Sequence, residues 1–207
     1  LELTSEQARS EIRYTTDRSL PTETSPLYKG PILISETTMV RARVYGPDMV
    51  SSESVSQTYI ELGGPLVDDS SNLPLIVIDN FGQRDLNDGF ALSHRQFQNG
   101  SLMLFEPDAT GRSHLTDTPT FTSRSGTHRR GNSSFSNPKP SLRLELRDEN
   151  DEDLSASLLG LTSDADWVLS GPYDEDRSLI RNSLVHAINR EVAPWAPNTR
   201  FVEVYYN

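Results

Sequence analysis

The sequence predicts a mainly β fold with one main helix, in which a small β-sandwich is followed by an α+β domain. Short segments that alternate apolar and polar residues recur between turn-forming residues along most of the 207 residues, as they do in antiparallel sheets. One longer stretch, residues 176–191, has its apolar residues at helical spacing. Chain-breaking and acidic residues cluster at 62–72, which indicates a linker between a domain at 1–62 and another at 73–207.

The first domain is predicted to consist of short strands separated by turns. Residues 11–16, 38–45 and 55–60 alternate apolar and polar side chains, and the apolar run at 31–35 is also predicted as a strand. Strands this short at this spacing favour a sandwich. A module of about 50 residues has a small core, so we expect it to depend on packing against a neighbouring domain for stability.

The second domain opens with Leu73–Ile78, a continuous apolar run typical of a buried strand. Asn99-Gly100 predicts a hairpin turn that leads into a strand at 101–105. Residues 148–153 are almost all acidic and predict a charged hairpin tip. Further strands are predicted at 118–124, 141–147, 164–169 and 201–206.

The one main helix is predicted from Asp176 to Glu191. The acidic residues at 174–176 lie at its start, where the helix dipole favours negative charge, and Pro194 ends it. The apolar residues that share one side of this helix are Leu179, Ile180, Leu184, Val185 and Ile188.

Composition excludes several classes of function. A net charge of −11 argues against a nucleic-acid partner, which is bound largely through phosphate neutralisation. The sequence has no cysteine, so disulfides, thiolate metal sites and cysteine nucleophiles are excluded. No stretch approaches the roughly 20 apolar residues of a membrane-spanning helix, so we expect no membrane span.

The irregular, basic segment at 127–140 carries the clearest candidate chemistry. In Arg130-Gly131-Asn132-Ser133 the glycine permits close approach of the backbone, and amides and hydroxyls can donate to phosphate oxygens. Lys139, just before a predicted strand, is placed to act as a point charge on a phosphate. The competing interpretation is a solvated turn before a strand.

The remaining candidates favour structural roles. The acidic run 148–153 offers hard oxygen ligands for Ca²⁺ but lacks the glycine and spacing of an EF-hand loop, so an exposed hairpin is favoured. Asp176 and Glu191 are the acidic candidates for orienting a lysine, and decoration of the helix ends is favoured. The four histidines have no metal-ligand spacing, so we predict no metal site. Four tyrosines are candidates for stacking on sugars, although packing in the core is favoured: Tyr14, Tyr28, Tyr45 and Tyr59.

An ordered series of motifs spans residues 11–60. Its members are Ile12–Asp17, Ser19–Thr22, Ser25–Pro31, Thr37-Thr38, Val40–Arg43 and Thr58-Tyr59. In this series the first module resembles the chitobiase/β-hexosaminidase C-terminal-type β-sandwich repeat, an accessory module of secreted and cell-surface proteins. The usual Asp-Gly-Ser turn of that family reads Asp17-Arg18-Ser19 here.

A second ordered series follows in the other domain. Its members are Arg130–Ser134, Pro138-Lys139, Leu142–Leu146, Leu158–Leu161, Asp166–Leu169 and Ser178–Asn182. In their order and spacing, residues 73–207 resemble the amino-terminal part of the CotH (spore coat protein H) atypical kinases. Pro140 stands where that family often has a second lysine, and Leu142 where an aromatic residue is common.

The resemblance implies a kinase-like partial domain whose nucleotide-binding residues are Arg130, Gly131, Asn132, Ser133 and Lys139. It implies ATP with Mg²⁺ or Mn²⁺ as the cofactor of the complete domain. It further implies catalytic and metal-binding acidic residues beyond Asn207, so we expect this chain alone to be inactive.

We therefore expect a fragment of a bacterial, extracellular or cell-surface CotH-like protein kinase with an accessory β-sandwich. A protein substrate or a cell-surface carbohydrate is the expected partner. The alternative is a non-catalytic extracellular module that binds carbohydrate or protein, because a fold alone does not fix a function. Suitably placed acidic residues beyond Asn207 would favour the kinase.

Overall fold

The computed structural model describes residues 1–7, 9–46, 50–83, 96–173 and 176–207. The chain divides into two compact units, Leu1–Val67 and Asp68–Asn207. Its mainly β class with an α+β second domain is confirmed, and the sheet of the first unit is consistent with the predicted sandwich. Among the described residues, no helix combines the length and the apolarity that crossing a membrane requires.

The first unit is built on an antiparallel sheet in the order β1-β2-β3. Its strands are β1 (Glu11–Thr15), β2 (Thr38–Tyr45) and β3 (Val55–Tyr59), and one helical turn, α1 (Gly64–Val67), follows them. Met39 and Val40 are buried side chains of its core. The three alternating segments therefore form strands within one residue of the predicted bounds.

The strand predicted at 31–35 is wrong. Ile32 exchanges both backbone hydrogen bonds with Leu1, at 2.8 Å each. Among the described residues of this unit, no ladder continues beyond this pair, and Leu33 is 88% exposed. Pro31 has no amide hydrogen to contribute to a ladder, so an apolar run of this length gains little from pairing here.

The turn after β1 keeps a glycine-like conformation without a glycine. Arg18, which stands where the resembled family has glycine, has a φ of 72°. The Asp17 carboxylate accepts hydrogen bonds from the Ser19 hydroxyl (2.6 Å) and the Ser19 amide (3.1 Å), and these bonds lower the pKa of Asp17. Arg41 donates to the Arg18 carbonyl at 3.0 Å. These contacts hold the turn against the cost of a positive φ at a non-glycine residue.

The second unit is built on a six-stranded sheet in the order β10-β9-β8-β6-β5-β11. Neighbouring strands are antiparallel except β5 and β11, which are parallel. A separate two-stranded ladder joins β4 to β7. The strands of this unit are β4 (Ser70–Ser71), β5 (Leu75–Asp79), β6 (Gln98–Phe105), β7 (Ser113–His114), β8 (Phe121–Arg130), β9 (Ser141–Arg147), β10 (Asp166–Leu169) and β11 (Glu203–Tyr206).

One face of this sheet carries the core of the unit. The alternation predicted for 141–147 is confirmed, because Leu142, Leu144 and Leu146 are buried while Arg143 is exposed. The buried residues that pack together on this face are Ile76, Ile78, Leu102, Leu104, Leu144, Leu146 and Leu158.

The hairpin turn predicted at Asn99-Gly100 is wrong, because both residues lie inside β6. Gly100 is required for a different reason. A Cβ built on it would lie 2.4 Å from the Asp79 carbonyl oxygen and 3.3 Å from the Asn80 Cα. The chain leaving β5 crosses β6 too closely for any side chain, which is the other common use of glycine in a strand.

Strand β8 is longer than predicted. The alternating segment was expected at 118–124 and an irregular segment at 127–140, but β8 runs to Arg130 and pairs with β9 along this length. Thr127 lies opposite Leu144, and Arg130 lies opposite Ser141. The cross-strand partner, which the local pattern of 127–130 does not show, decides the conformation.

The helix is shorter than predicted, since α2 spans Arg181–Val192 rather than 176–191. Leu179 has a φ of 60°, which interrupts any helix that would pass through it. The Asp176 carboxylate instead lies before the helix and accepts a hydrogen bond from the Arg181 amide at 2.9 Å. The predicted apolar side is exposed, with Leu184, Val185 and Ile188 more than half accessible.

Candidate functional site

The candidate site residues lie in the connection between β8 and β9, at one end of the strands of the six-stranded sheet. We call residues 130–139 the β8–β9 loop. Strands β5 and β8 are both antiparallel to β6, so they run in the same direction. The β8–β9 loop therefore leaves the sheet at the same end at which strands β5 and β11 terminate.

This part of the chain is basic in an acidic protein. Residues 118–144 include five of the 19 lysines and arginines and none of the 30 aspartates and glutamates. Arg130 and Lys139 lie at the two ends of the β8–β9 loop, and both are exposed. The loop therefore presents two exposed cations, with no acidic residue between them in the sequence, that are able to attract an anion.

Gly131 is essential to the shape of the loop. Its φ is 120°, and a Cβ at this position would lie 2.5 Å from the Ser134 hydroxyl oxygen and 3.1 Å from the Phe135 amide nitrogen. Both the backbone conformation and the close packing therefore require glycine. The close approach of the Gly131 backbone to a phosphate stays a prediction, since the close contacts seen here are with Ser134 and Phe135 of the loop itself.

The middle of the loop forms one short turn of 3₁₀ helix, Ser133–Ser136. The Asn132 carbonyl accepts from the Phe135 amide, and the Ser134 carbonyl accepts from the Asn137 amide, each at 3.2 Å. The Asn132 side chain makes no capping hydrogen bond to this turn and is exposed. The loop backbone is thus ordered by its own hydrogen bonds.

The backbone of Lys139 and Pro140 packs closely against Gly171, which follows β10. A Cβ built on Gly171 would lie 2.5 Å from the Pro140 carbonyl oxygen and 2.9 Å from that of Lys139. The Gly171 amide also donates to the Ser141 hydroxyl at 3.1 Å. The backbone of Lys139 is therefore fixed while its side chain remains exposed.

Sequence reasoning missed Arg129, which links the loop to the sheet. Its side chain is buried, its guanidinium lies 4.9 Å from the centroid of the Phe135 ring, and it donates to the Asn137 carbonyl. The local sequence gave no signal for this role. The pairing with β9 places Ser125, Thr127 and Arg129 on one face of β8, opposite Leu146, Leu144 and Leu142.

The acidic hairpin at 148–153 has structural contacts. The Asp148 carboxylate accepts from the Asn150 amide (2.7 Å) and the Glu152 amide (3.0 Å). Asp151 is paired with the buried Arg124. Within the described ranges, no group of three or more histidine, aspartate or glutamate side chains is arranged to hold a metal ion.

The acidic candidates on the helix differ from each other. Hydrogen bonds from the Ser178 hydroxyl and the Arg181 amide lower the pKa of Asp176. Asp176 is therefore engaged in capping α2, and the structural role favoured from the sequence agrees with this contact. Glu191 is exposed near the end of α2.

Comparison with known families falls on these same elements. Residues 128–207 match the family model described as CotH kinase protein. The CotH-type segment starts near the end of β8 and includes the β8–β9 loop, β9, β10, α2 and β11. The recognition of a CotH-like segment from its motifs is confirmed.

The first unit matches a second family model. Residues 1–59 match the model described as Fn3 associated, and this range contains β1, β2 and β3. The predicted chitobiase-type module is roughly consistent with that match. The comparisons with curated proteins and with solved structures gave no match.

Proposed function

We propose that the β8–β9 loop forms part of the nucleotide site of a CotH-like atypical protein kinase, and that the first unit is its accessory module. The observation that carries the proposal is the position of the loop. It is a glycine-dependent, acid-free basic loop inside the segment that matches the CotH kinase model. Backbone amides of Gly131, Asn132 and Ser133 would donate to phosphate oxygens.

The two cations of the loop would have separate roles. Arg130 ends β8 and is able to contact phosphate oxygens through two donors at once, whereas Lys139 provides a compact charge. Phosphoryl transfer also needs a metal and a group that accepts the proton of the acceptor hydroxyl. In this proposal other parts of the complete domain supply these, with ATP and Mg²⁺ or Mn²⁺ as the cofactor.

The proposed setting is an exported, cell-surface protein of a bacterium, with a protein substrate or a surface carbohydrate as the partner. The match of the first unit to the Fn3 associated model supports an accessory role for it. Fold similarity alone does not establish activity, so the proposal has to be tested at the level of ligand binding.

The chain is well suited to a chemical test because it has two lysines, Lys29 and Lys139. Both are exposed, so they form a matched pair. An acyl-phosphate derivative of ATP transfers its acyl group to a lysine amine near the bound phosphates and releases ATP. We expect acylation of Lys139 that excess ATP suppresses, with Lys29 labelled weakly and without competition.

Calorimetric titration with ATP, with and without Mg²⁺ or Mn²⁺, gives the matching affinity. We expect the Lys139→Ala variant to bind at least about tenfold more weakly, since a charge-assisted contact to phosphate contributes roughly 1.5–3 kcal/mol. The Lys29→Ala variant should bind as the parent chain does. Equal, ATP-insensitive labelling of both lysines, or equal affinity in both variants, would remove Lys139 from the site.

A further inference from the structure

We propose that Arg129 is the positioning residue of the β8–β9 loop, and that it fixes the backbone carrying the nucleotide-binding groups. This inference rests on the proposed nucleotide-binding function of the loop. Arg129 lies next to Arg130 in sequence, yet the two arginines are placed for opposite tasks. Arg129 is buried and Arg130 is exposed.

The separation of the two arginines follows from the geometry of a strand. Successive residues of β8 point to opposite faces of the sheet, and its pairing with β9 continues to Arg130. Arg129 lies opposite Leu142, a buried residue on the core face of β9. The cation next to the glycine loop is therefore directed inward by the same ladder that leaves its neighbour exposed.

Two contacts join the Arg129 side chain to the middle of the loop. Its guanidinium stacks on the Phe135 ring with 4.9 Å between the central carbon and the ring centroid, and one terminal nitrogen donates to the Asn137 carbonyl. Phe135 and Asn137 are also the residues whose amides close the 3₁₀ turn. Arg129 thus holds the part of the loop that sets the position of Asn132 and Ser133.

A lysine cannot make both contacts in the same way. Its ammonium lacks the planar face that stacks on an aromatic ring. It also lacks the forked donors that let a guanidinium contact the Phe135 ring and the Asn137 carbonyl together. Methionine is close in length to the arginine stem, and its flexible apolar side chain can fill the buried site of Arg129 without the two loop contacts. Arg129→Met should therefore loosen the loop with little effect on the sheet.

The test measures loop order and nucleotide affinity separately. Amide hydrogen exchange reports the Phe135 and Asn137 amides, and calorimetry reports ATP affinity in the presence of Mg²⁺. In Arg129→Met we expect both amides to exchange at least about tenfold faster and ATP to bind about tenfold more weakly, because ligand binding must then order the loop. The midpoint of thermal unfolding should move by no more than about 2 °C, a shift expected for a small change in stability.

Two further variants make the outcome specific. Arg129→Lys should give intermediate exchange and affinity, because it restores the charge without the planar fork. Arg143→Met is the matched control, since Arg143 lies on the opposite face of β9, is 48% exposed and pairs with exposed Asp166 at 3.0 Å. This control should leave both measurements unchanged.

The outcomes separate this inference from the proposed function. Unchanged amide exchange at Phe135 and Asn137 in Arg129→Met would overturn the positioning role. If the parent chain binds ATP, an equal ATP affinity in Arg129→Met would overturn it as well. If the parent chain binds no ATP, the proposed nucleotide site fails in this chain. Faster exchange confined to the loop of Arg129→Met would then still support the positioning of the loop.

Discussion

Gly100 is the position at which the structure makes its sharpest prediction about stability. A Cβ at this residue would lie 2.4 Å from the Asp79 carbonyl oxygen, whereas ordinary contacts of a Cβ start at 3.4 Å, so about 1 Å of overlap has to be relieved. The atom in the way belongs to the backbone, which cannot rotate aside. Overpacking of this kind costs about 1–3 kcal/mol.

The net effect of Gly100→Ala is somewhat smaller than the clash. Replacing glycine with alanine reduces the conformational entropy of the unfolded chain, which offsets about 0.4–1 kcal/mol. We therefore expect the free energy of unfolding to fall by roughly 1–2 kcal/mol. Gly126→Ala is the control in the same sheet, because its Cβ would meet the Arg147 guanidinium at 2.7 Å, and that side chain can move. Its cost should be smaller than that of Gly100→Ala, because the end of a flexible side chain gives way more easily than backbone does.

Urea unfolding followed by tryptophan fluorescence measures these changes in the second unit alone, since Trp167 and Trp195 are the two tryptophans of the chain. Gly100→Asn separates two explanations for the glycine. If Gly100 were a turn residue with a positive φ, asparagine would be tolerated better than alanine. Within β6 it should be at least as destabilising as alanine. A Gly100→Ala variant as stable as the parent chain would refute the close approach of the Asp79–Asn80 backbone to Gly100.

The remaining predictions concern pH and a strained turn. The hydrogen bond from the Tyr205 hydroxyl to Asp69 (2.8 Å) raises the pKa of Tyr205 to about 12. The stability it contributes, about 1 kcal/mol or less for a partly exposed pair, should therefore persist up to a pH near the ordinary value of 10.0 and disappear as the pH approaches 12. The ultraviolet absorbance of tyrosinate can be titrated in the parent chain and in Tyr205→Phe, and the difference between the two curves reports Tyr205. A midpoint of this difference curve near the ordinary pKa would contradict the contact. In the first unit, Arg18→Gly should raise stability by about 0.5–1 kcal/mol, because glycine accepts the φ of 72° without the steric cost borne by an L-residue. Calorimetric unfolding checks this, and a less stable variant would show that the arginine side chain contributes more than its backbone conformation costs.

Several of the strands could be predicted from local alternation alone. Alternation identified β1, β2, β3 and β9 within one residue, since a strand with one buried face imposes a period of two on its side chains. The motif series placed a CotH-like segment and a β-sandwich module in the correct order. It also marked Gly131, whose left-handed φ and tight packing are properties that no other residue type satisfies.

Tertiary structure decided the points at which a residue has more than one use. Gly100 serves a close crossing rather than a turn because the chain leaving β5 passes over it. Residues 127–130 are strand because β9 lies beside them, and α2 starts at Arg181 because Leu179 takes a positive φ and Asp176 caps the turn that follows. Arg129 joined the candidate site only through contacts with Phe135 and Asn137. Local sequence records the propensities of a residue, whereas the neighbour that selects among them is brought close only by folding.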